Sequence, residues 1–213
     1  MILAVDTCLG ASSIAVLEGD VVRAARSEPM TRGHQERIAV LAREVMAEAG
    51  VKFPDLTRIA VTVGPGSFTG LRVGLSFAKG LATALSIPCV GINSLEALAA
   101  TTGATGFVAA ALDARMGQVY LQIFDSGKAL MAPDALEVTV AIARLAELYS
   151  GGPATLIGSG APMIADVLPG ATVLIPAFAD PVAIACLAAT RPAPSHSPRP
   201  LYLRAPYAVA PAA

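Results

Sequence analysis

The chain has 213 residues, enough for one large domain or two small lobes around a real core. Apolar residues make up 54% and charged residues 15%, with a net charge of −1, so the chain alone has no overall pull toward phosphate and is not expected to bind nucleic acid tightly. A membrane span, which needs about 20 apolar residues in a row, is excluded as well: the longest uncharged stretch, Leu148 to Ala165, carries Gly151, Gly152, Pro153, Gly158, Gly160 and Pro162.

Met1 to Asp6 reads as a buried strand, Ser12 to Leu17 as a second and Val21 to Ala25 as a third, with turn signals at Leu9-Gly10 and Glu18-Gly19-Asp20. A helix follows from His34 to Ala49, because Ile38, Leu41, Ala42, Val45, Met46 and Ala49 share one face at helical spacing and Gly50 can end it. Arg58 to Val63 is a fourth strand. A glycine-rich turn leads into a helix from Leu71 to Leu85, and Pro88 to Gly91 is a fifth strand. Asn93 opens a third helix, with Glu96 as its expected capping-box partner.

The same order then starts again. Phe107 to Asp113 and Gln118 to Phe124 are strands joined by a tight turn at Arg115-Met116-Gly117, and a short third strand lies near Leu130. Thr139 is expected to cap a helix running to Tyr149. Thr155 to Gly158 and Thr172 to Ile175 are strands, and Asp180-Pro181 opens a last helix. Hairpin-linked strands followed by crossover units imply a mixed sheet with helices on both faces, here in two copies of which the second is reduced. The division expected is 1–104, 105–190, and a proline-rich linker and tail at 191–213. Arg191 to Pro200 holds four prolines and two serines and reads as an extended linker; Leu201 to Pro206 reads as a docked tail.

Few residues can carry chemistry. Gly64-Pro-Gly-Ser-Phe-Thr-Gly70 suggests an anion loop at a helix start, but no Gly-Lys-Ser/Thr ends it, Thr69 stands where a dinucleotide fingerprint needs glycine, and Pro65 breaks a nucleophile elbow. A sharp turn with close helix packing is the favoured reading. Only two histidines exist: His34 at a charged helix start, expected to cap or to lie at the surface, and His196 in the linker. Position 38 is Ile, so no metal-binding pair arises at helical spacing. The three cysteines, Cys8, Cys89 and Cys186, are scattered, which suits a reducing compartment. With no signal peptide visible, a cytoplasmic protein is expected.

Asp6 and Asp113 end matching strands, each followed four residues later by glycine. Each can bond the backbone after it. The sharper alternative is that they face one another across a cleft and, with Thr7, Gly158 and Gly160, form a degenerate nucleotide site.

Helix faces say more. The Leu71–Leu85 helix has an apolar arc of about 200°, wider than one sheet face needs. Gly74, Ala78 and Ala82 recur every four residues and permit close helix approach. Val40 and Ala47 sit seven apart on the charged side of the first helix. Ordinary core packing and a partner surface both account for this.

The opening Ile2-Leu-Ala-Val-Asp-Thr7, the run Gly64-Pro-Gly-Ser-Phe-Thr-Gly-Leu-Arg-Val-Gly74, Asp113-Ala-Arg-Met-Gly-Gln-Val-Tyr120 and the tail Tyr202-Leu-Arg204 together resemble the TsaB/YeaZ family over essentially the whole length. That resemblance implies an α/β fold of two ribonuclease-H-like lobes of the actin/Hsp70/sugar-kinase (ASKHA) type. It implies a non-catalytic scaffold that pairs with the catalytic subunit TsaD, is joined by the ATPase TsaE, and serves threonylcarbamoyladenosine formation beside the tRNA anticodon. TsaD carries two metal-binding histidines where Ser94 and Leu98 stand here. No metal or cofactor is therefore expected for this chain itself, with ATP or ADP, where it enters at all, at the complex interface. The docking surface carried over is the helix pair 34–49 and 71–85, with His34, Val40, Glu44, Ala47, Arg72, Leu75, Ser76 and Lys79 as partner-binding residues. A homodimer is expected without TsaD, and contact with tRNA only through the complex.

Overall fold

The computed structural model describes residues 1–204; Ala205 and Pro206, the end of the tail expected to dock, lie outside the described residues together with the rest of the chain to Ala213. The first half forms a five-stranded sheet. Strands β1 (Ile2–Asp6), β2 (Ala11–Glu18) and β3 (Val21–Pro29) make an antiparallel meander. After helix α1 (His34–Glu48), strand β4 (Arg58–Thr62) returns parallel to β1. Helix α2 (Phe68–Leu85), strand β5 (Cys89–Ile92) and helix α3 (Ser94–Thr101) complete the unit, in the sheet order β3-β2-β1-β4-β5.

The second half repeats this plan. It contains β6 (Phe107–Arg115), β7 (Gln118–Asp125), β8 (Lys128–Ala129), β9 (Asp134–Glu137), helix α4 (Val138–Leu148), β10 (Ala154–Ile157), β11 (Thr172–Leu174) and helix α5 (Pro181–Ala189). The order β11-β10-β6-β7-β8, with β9 also on β7, sets β6 in the place of β1 and β10 in that of β4. The reduction is concrete: where the first half has the 18-residue α2, the second has only two three-residue 3-10 turns, Ala161–Met163 and Ala165–Val167.

Burial follows from these layers. Ile38, Leu41, Val45, Leu71, Leu75 and Ala78 pack α1 and α2 onto the outer face of the first sheet. Leu95, Leu98, Ile184 and Ala185 place α3 and α5 between the two sheets. Ala141 and Leu145 of α4 cover the outer face of the second. By sequence α5 belongs to 105–190, yet it packs along β1 and β2, so the spatial division does not follow the chain boundary at 104.

Several expected boundaries shift for local reasons. Helix α2 begins at Phe68, three residues early, because the Ser67 hydroxyl accepts from the Gly70 N–H (3.2 Å) and caps it inside the glycine run. Helix α4 follows Glu137, so Thr139 lies in its first turn and is not its cap. Asn93 caps α3, accepting from the Leu95 N–H at 2.9 Å, but Glu96 pairs with Arg191 and closes no capping box. The segment 191–200 has no regular structure but is no free spacer: Arg191 donates to the Gly91 carbonyl (2.8 Å), and its own carbonyl accepts from Arg58 (2.7 Å). The strap then reaches the chain just past β4, where Leu201 N–H donates to the Val63 carbonyl (2.8 Å). None of the described helices is long and apolar enough to cross a membrane.

Candidate functional site

The glycine run is a packing device. A Cβ on Gly74 would fall 2.5 Å from the Thr7 hydroxyl, and one on Gly70 would collide with the Thr7 carbonyl. The Thr7 hydroxyl donates to the Gly70 carbonyl (2.6 Å), so α2 rides directly on the end of β1. The favoured turn-and-packing reading therefore fits. Gly74, Ala78 and Ala82 do permit close approach, but toward the sheet and not toward a partner helix.

The carboxylate next to Thr7 is sealed too. Asp6 is completely buried; its Oδ1 accepts from the Cys8 N–H (2.9 Å) and the Thr62 hydroxyl (2.5 Å). Burial pushes its carboxyl up, against the pull of those hydrogen bonds, and Oδ2 has no partner among the described residues. The Cys8 thiol beside it is pushed up to about 12, first by burial and then by Asp6. Asp113 lies differently. Its Oδ1 accepts from the Arg115 N–H (2.7 Å), and it stays half-exposed on a cleft of about 540 Å³ lined by Cys8, Gly10, Ser67, Asp113, Ser159 and Ala177. Each Asp thus stabilises the turn after it, as the simpler reading held.

The expected nucleotide constellation does not assemble. Of Asp6, Thr7, Asp113, Gly158 and Gly160, only Asp113 borders the cleft. Thr7 is buried under α2, and Gly158 and Gly160 are buried with their N–H groups bonded to Leu174 (2.9 Å) and Ala111 (3.0 Å) carbonyls. Among the described residues no group of three or more His, Cys, Asp or Glu is arranged to hold a metal. Ser94 and Leu98 are wholly buried on α3.

His34 corrects the reading from its charged neighbourhood. Only 6% exposed, it neither caps α1 nor faces outward; its Nδ1 lies 2.9 Å from the Ser12 hydroxyl, and burial lowers its pKa. This is a Ser–His pair that sequence reasoning missed. The signal was there: His34 precedes Ile38 by four residues and so lies on the apolar face. Ser12 is fully buried, so no substrate carbonyl reaches it.

The outer helix face is only partly as expected. Leu75 is core, and Val73, Phe77 and Leu81 are half-buried against the same cluster, which accounts for much of the wide apolar arc. Glu44 is not a loose handle: it accepts from Arg37 (2.6 Å) and Arg26 (2.9 Å), while Arg37 also grips Glu28 (2.6 Å) and Arg26 grips Glu48 (2.8 Å). Arg72 lies 3.8 Å above the Phe68 ring and reaches the Tyr202 hydroxyl (3.3 Å). Ala47 and Ser76 are exposed, with Val40 and Lys79 half-buried.

A family model described as "TsaD: tRNA N6-adenosine threonylcarbamoyltransferase" matches residues 27–163, well over half of the chain. The chain belongs to the TsaD family. This TsaD-family chain is 39% identical over 123 residues to the "tRNA threonylcarbamoyladenosine biosynthesis protein TsaB" of Escherichia coli, covering 56% of the chain and 52% of that protein. It is 34% identical over 148 residues to the protein of the same name in Bacillus subtilis, covering 69% and 65%. It thus spans about half to two thirds of the length of these curated relatives. The solved YeaZ from Pseudomonas aeruginosa superposes with a TM-score of 0.81 at 28% identity, over 95% of this chain and 99% of that one. A ROK hexokinase from Thermus thermophilus (TM-score 0.51, 13% identity, 88% and 98% covered) shares the fold alone. The TsaB/YeaZ resemblance and the ASKHA-type fold expected from the sequence both hold. A second Pseudomonas structure is described as similar to "peptidase YEAZ"; in this TsaD-family chain the Ser12–His34 pair is buried.

Proposed function

We propose that this chain is a non-catalytic accessory subunit for threonylcarbamoyladenosine formation in tRNA, holding a TsaD-type catalytic partner against the outer faces of α1 and α2. The observation that carries the reading is the sealed Asp6: a TsaD-family frame is kept while the carboxylate at the end of its first strand is fully buried and bonded internally to Cys8 and Thr62. The outward residues Ala47 and Ser76 are small, uncharged and exposed, which lets another helix approach closely. The chain would act in the cytoplasm, require no cofactor of its own, be joined by a TsaE-type ATPase, and serve tRNA modification, with any ATP or ADP used for it at the complex interface, only in the assembly. Self-association through the same helices is the expected state without the partner.

The test is co-expression with the TsaD of the same cell, followed by measurement of modified adenosine in tRNA. Ala47→Arg with Ser76→Arg should lower affinity for TsaD at least about tenfold while leaving the melting temperature unchanged. Wild-type co-purification by that double variant would make the assigned face wrong. Modification that proceeds without this chain, or that this chain performs alone, would remove the accessory role.

A further inference from the structure

A second cavity of about 540 Å³ adjoins the inter-lobe cleft along Gly66, Ala114, Arg115 and Tyr120. Its walls come from three distant stretches: the glycine run and first turn of α2, the β6–β7 turn, and the strap Leu201–Arg204. In a chain with 16 acidic and 15 basic residues, no lining residue is acidic and two are arginines. Arg115 reaches out from three successive residues at positive φ (Arg115 66°, Met116 56°, Gly117 72°); its side chain is 86% exposed and lies in a loose 3.6 Å pair with Asp113. Arg204 donates to the Ala114 carbonyl at 2.7 Å, which sets it at the wall.

The rest of the lining is aromatic. Phe68 and Tyr202 stand 5.5 Å apart and remain 39% and 45% exposed. Arg72, stacked on Phe68 and bonded to Tyr202, is a positioning residue that fixes this wall. Tyr120 and Met116 complete it. Exposed aromatic faces take flat rings, and guanidinium groups take phosphate oxygens through paired N–H donors. The volume falls in the range of small-ligand sites, roughly 300–1,000 Å³.

We infer that this cavity binds a nucleoside monophosphate unit, its base against Phe68 and Tyr202 and its phosphate toward Arg115 and Arg204. The exposed ring faces of this wall favour a base over an acidic peptide. The unit can be a free nucleotide or one residue of single-stranded RNA. The site differs from the inter-lobe carboxylate constellation, since Asp6, Thr7, Asp113, Gly158 and Gly160 do not line it.

Calorimetric titration of the full chain with AMP, adenosine, inorganic phosphate and a short oligoribonucleotide tests the assignment. AMP should bind at least tenfold tighter than adenosine or phosphate. Arg115→Ala and Tyr202→Ala, both at the surface, should each weaken it about tenfold. Ile175→Trp, which crowds the neighbouring cleft and does not touch this cavity, should leave it unchanged. Tighter binding of the oligonucleotide than of AMP assigns the unit to RNA, and equal or weaker binding assigns it to free nucleotide. No heat with AMP or oligonucleotide at millimolar concentration, or AMP binding lost in Ile175→Trp but kept in Arg115→Ala, overturns the proposal; so does selective binding of an acidic aromatic peptide. These readouts use the isolated chain and no modification activity, so their failure leaves the accessory-subunit reading standing.

Discussion

Two alanine substitutions on the same helix should shift stability in opposite directions. Gly70 and Gly80 both lie in α2, and helix propensity alone favours alanine at each by about 1 kcal/mol. At Gly80 a Cβ meets nothing within 4 Å, so Gly80→Ala should stabilise by up to about 1 kcal/mol. At Gly70 the new methyl carbon would lie 3.1 Å from the Thr7 carbonyl carbon and closer still to its oxygen, which is backbone and cannot rotate away. Relieving that overlap requires α2 to lift by about 1 Å, loosening Leu71, Leu75, Ala78 and Ala82 and stretching the Thr7–Gly70 hydrogen bond. Overpacking of this kind costs roughly 1–3 kcal/mol; with the backbone on both sides the upper end is expected, so Gly70→Ala should destabilise by about 3 kcal/mol. Urea titration at neutral pH reads both as shifts of the midpoint at constant slope. A Gly70→Ala protein as stable as the wild type would refute the claim that direct backbone contact holds α2 on β1.

Asp6→Asn should stabilise the chain at neutral pH, since Asn keeps the acceptor for Cys8 and Thr62 and carries no charge to bury. The wild-type carboxyl is raised in the folded state, so the folded state binds its proton more tightly than the unfolded one. Wild-type stability therefore falls as pH rises above the unfolded value of 3.8, and the advantage of Asn should appear over that rise and vanish below it; a pH-independent difference would contradict the buried-acid account. Glu28 and Glu44 behave oppositely: hydrogen bonds from Arg37 hold both carboxyls low, so their contribution is present above about 4.5 and is lost as pH falls through the folded values. Glu44→Arg should accordingly lower the melting temperature of the isolated chain, less so in 1 M salt. An unchanged melting temperature would mean the Arg26–Glu44–Arg37 cluster contributes nothing.

Much of the first half was legible because its strands are apolar runs bounded by turn residues and α1 has a clean helical period. The misses have physical causes. The start of α2 is hidden because Gly66 to Gly70 has loop composition; the Ser67 cap is local, but the packing of Gly70 against Thr7 that holds this first turn is tertiary. Strand β9 was missed because Asp134-Ala-Leu-Glu137 is short, charged at both ends and lacks β-branched residues; pairing with β7 overrides its propensity. Glu44 read as an exposed charge because its partners Arg26 and Arg37 come together only when β3 packs beside α1. The aromatic–arginine cavity was beyond reach of spacing arguments, since Phe68, Arg115 and Tyr202 are brought together from three separate stretches.

The duplication explains why the two carboxylates part company. Asp6 and Asp113 occupy matching positions and each accepts the N–H two residues on, from Cys8 and Arg115. In the first lobe α2 is long and carries Gly70 and Gly74 where it closes down on Thr7, and the neighbouring Asp6 is dry. In the second lobe 3-10 turns replace that helix. Asp113 stays half-exposed, and nearby apolar side chains such as Ile175, 62% exposed, are left open. One acid is sealed and the other lies open on the cleft, and the sealing of Asp6 alone keeps the two from sharing a ligand. What the frame retains on both sides of the cleft is hydrogen-bonded sheet, suited to presenting surfaces.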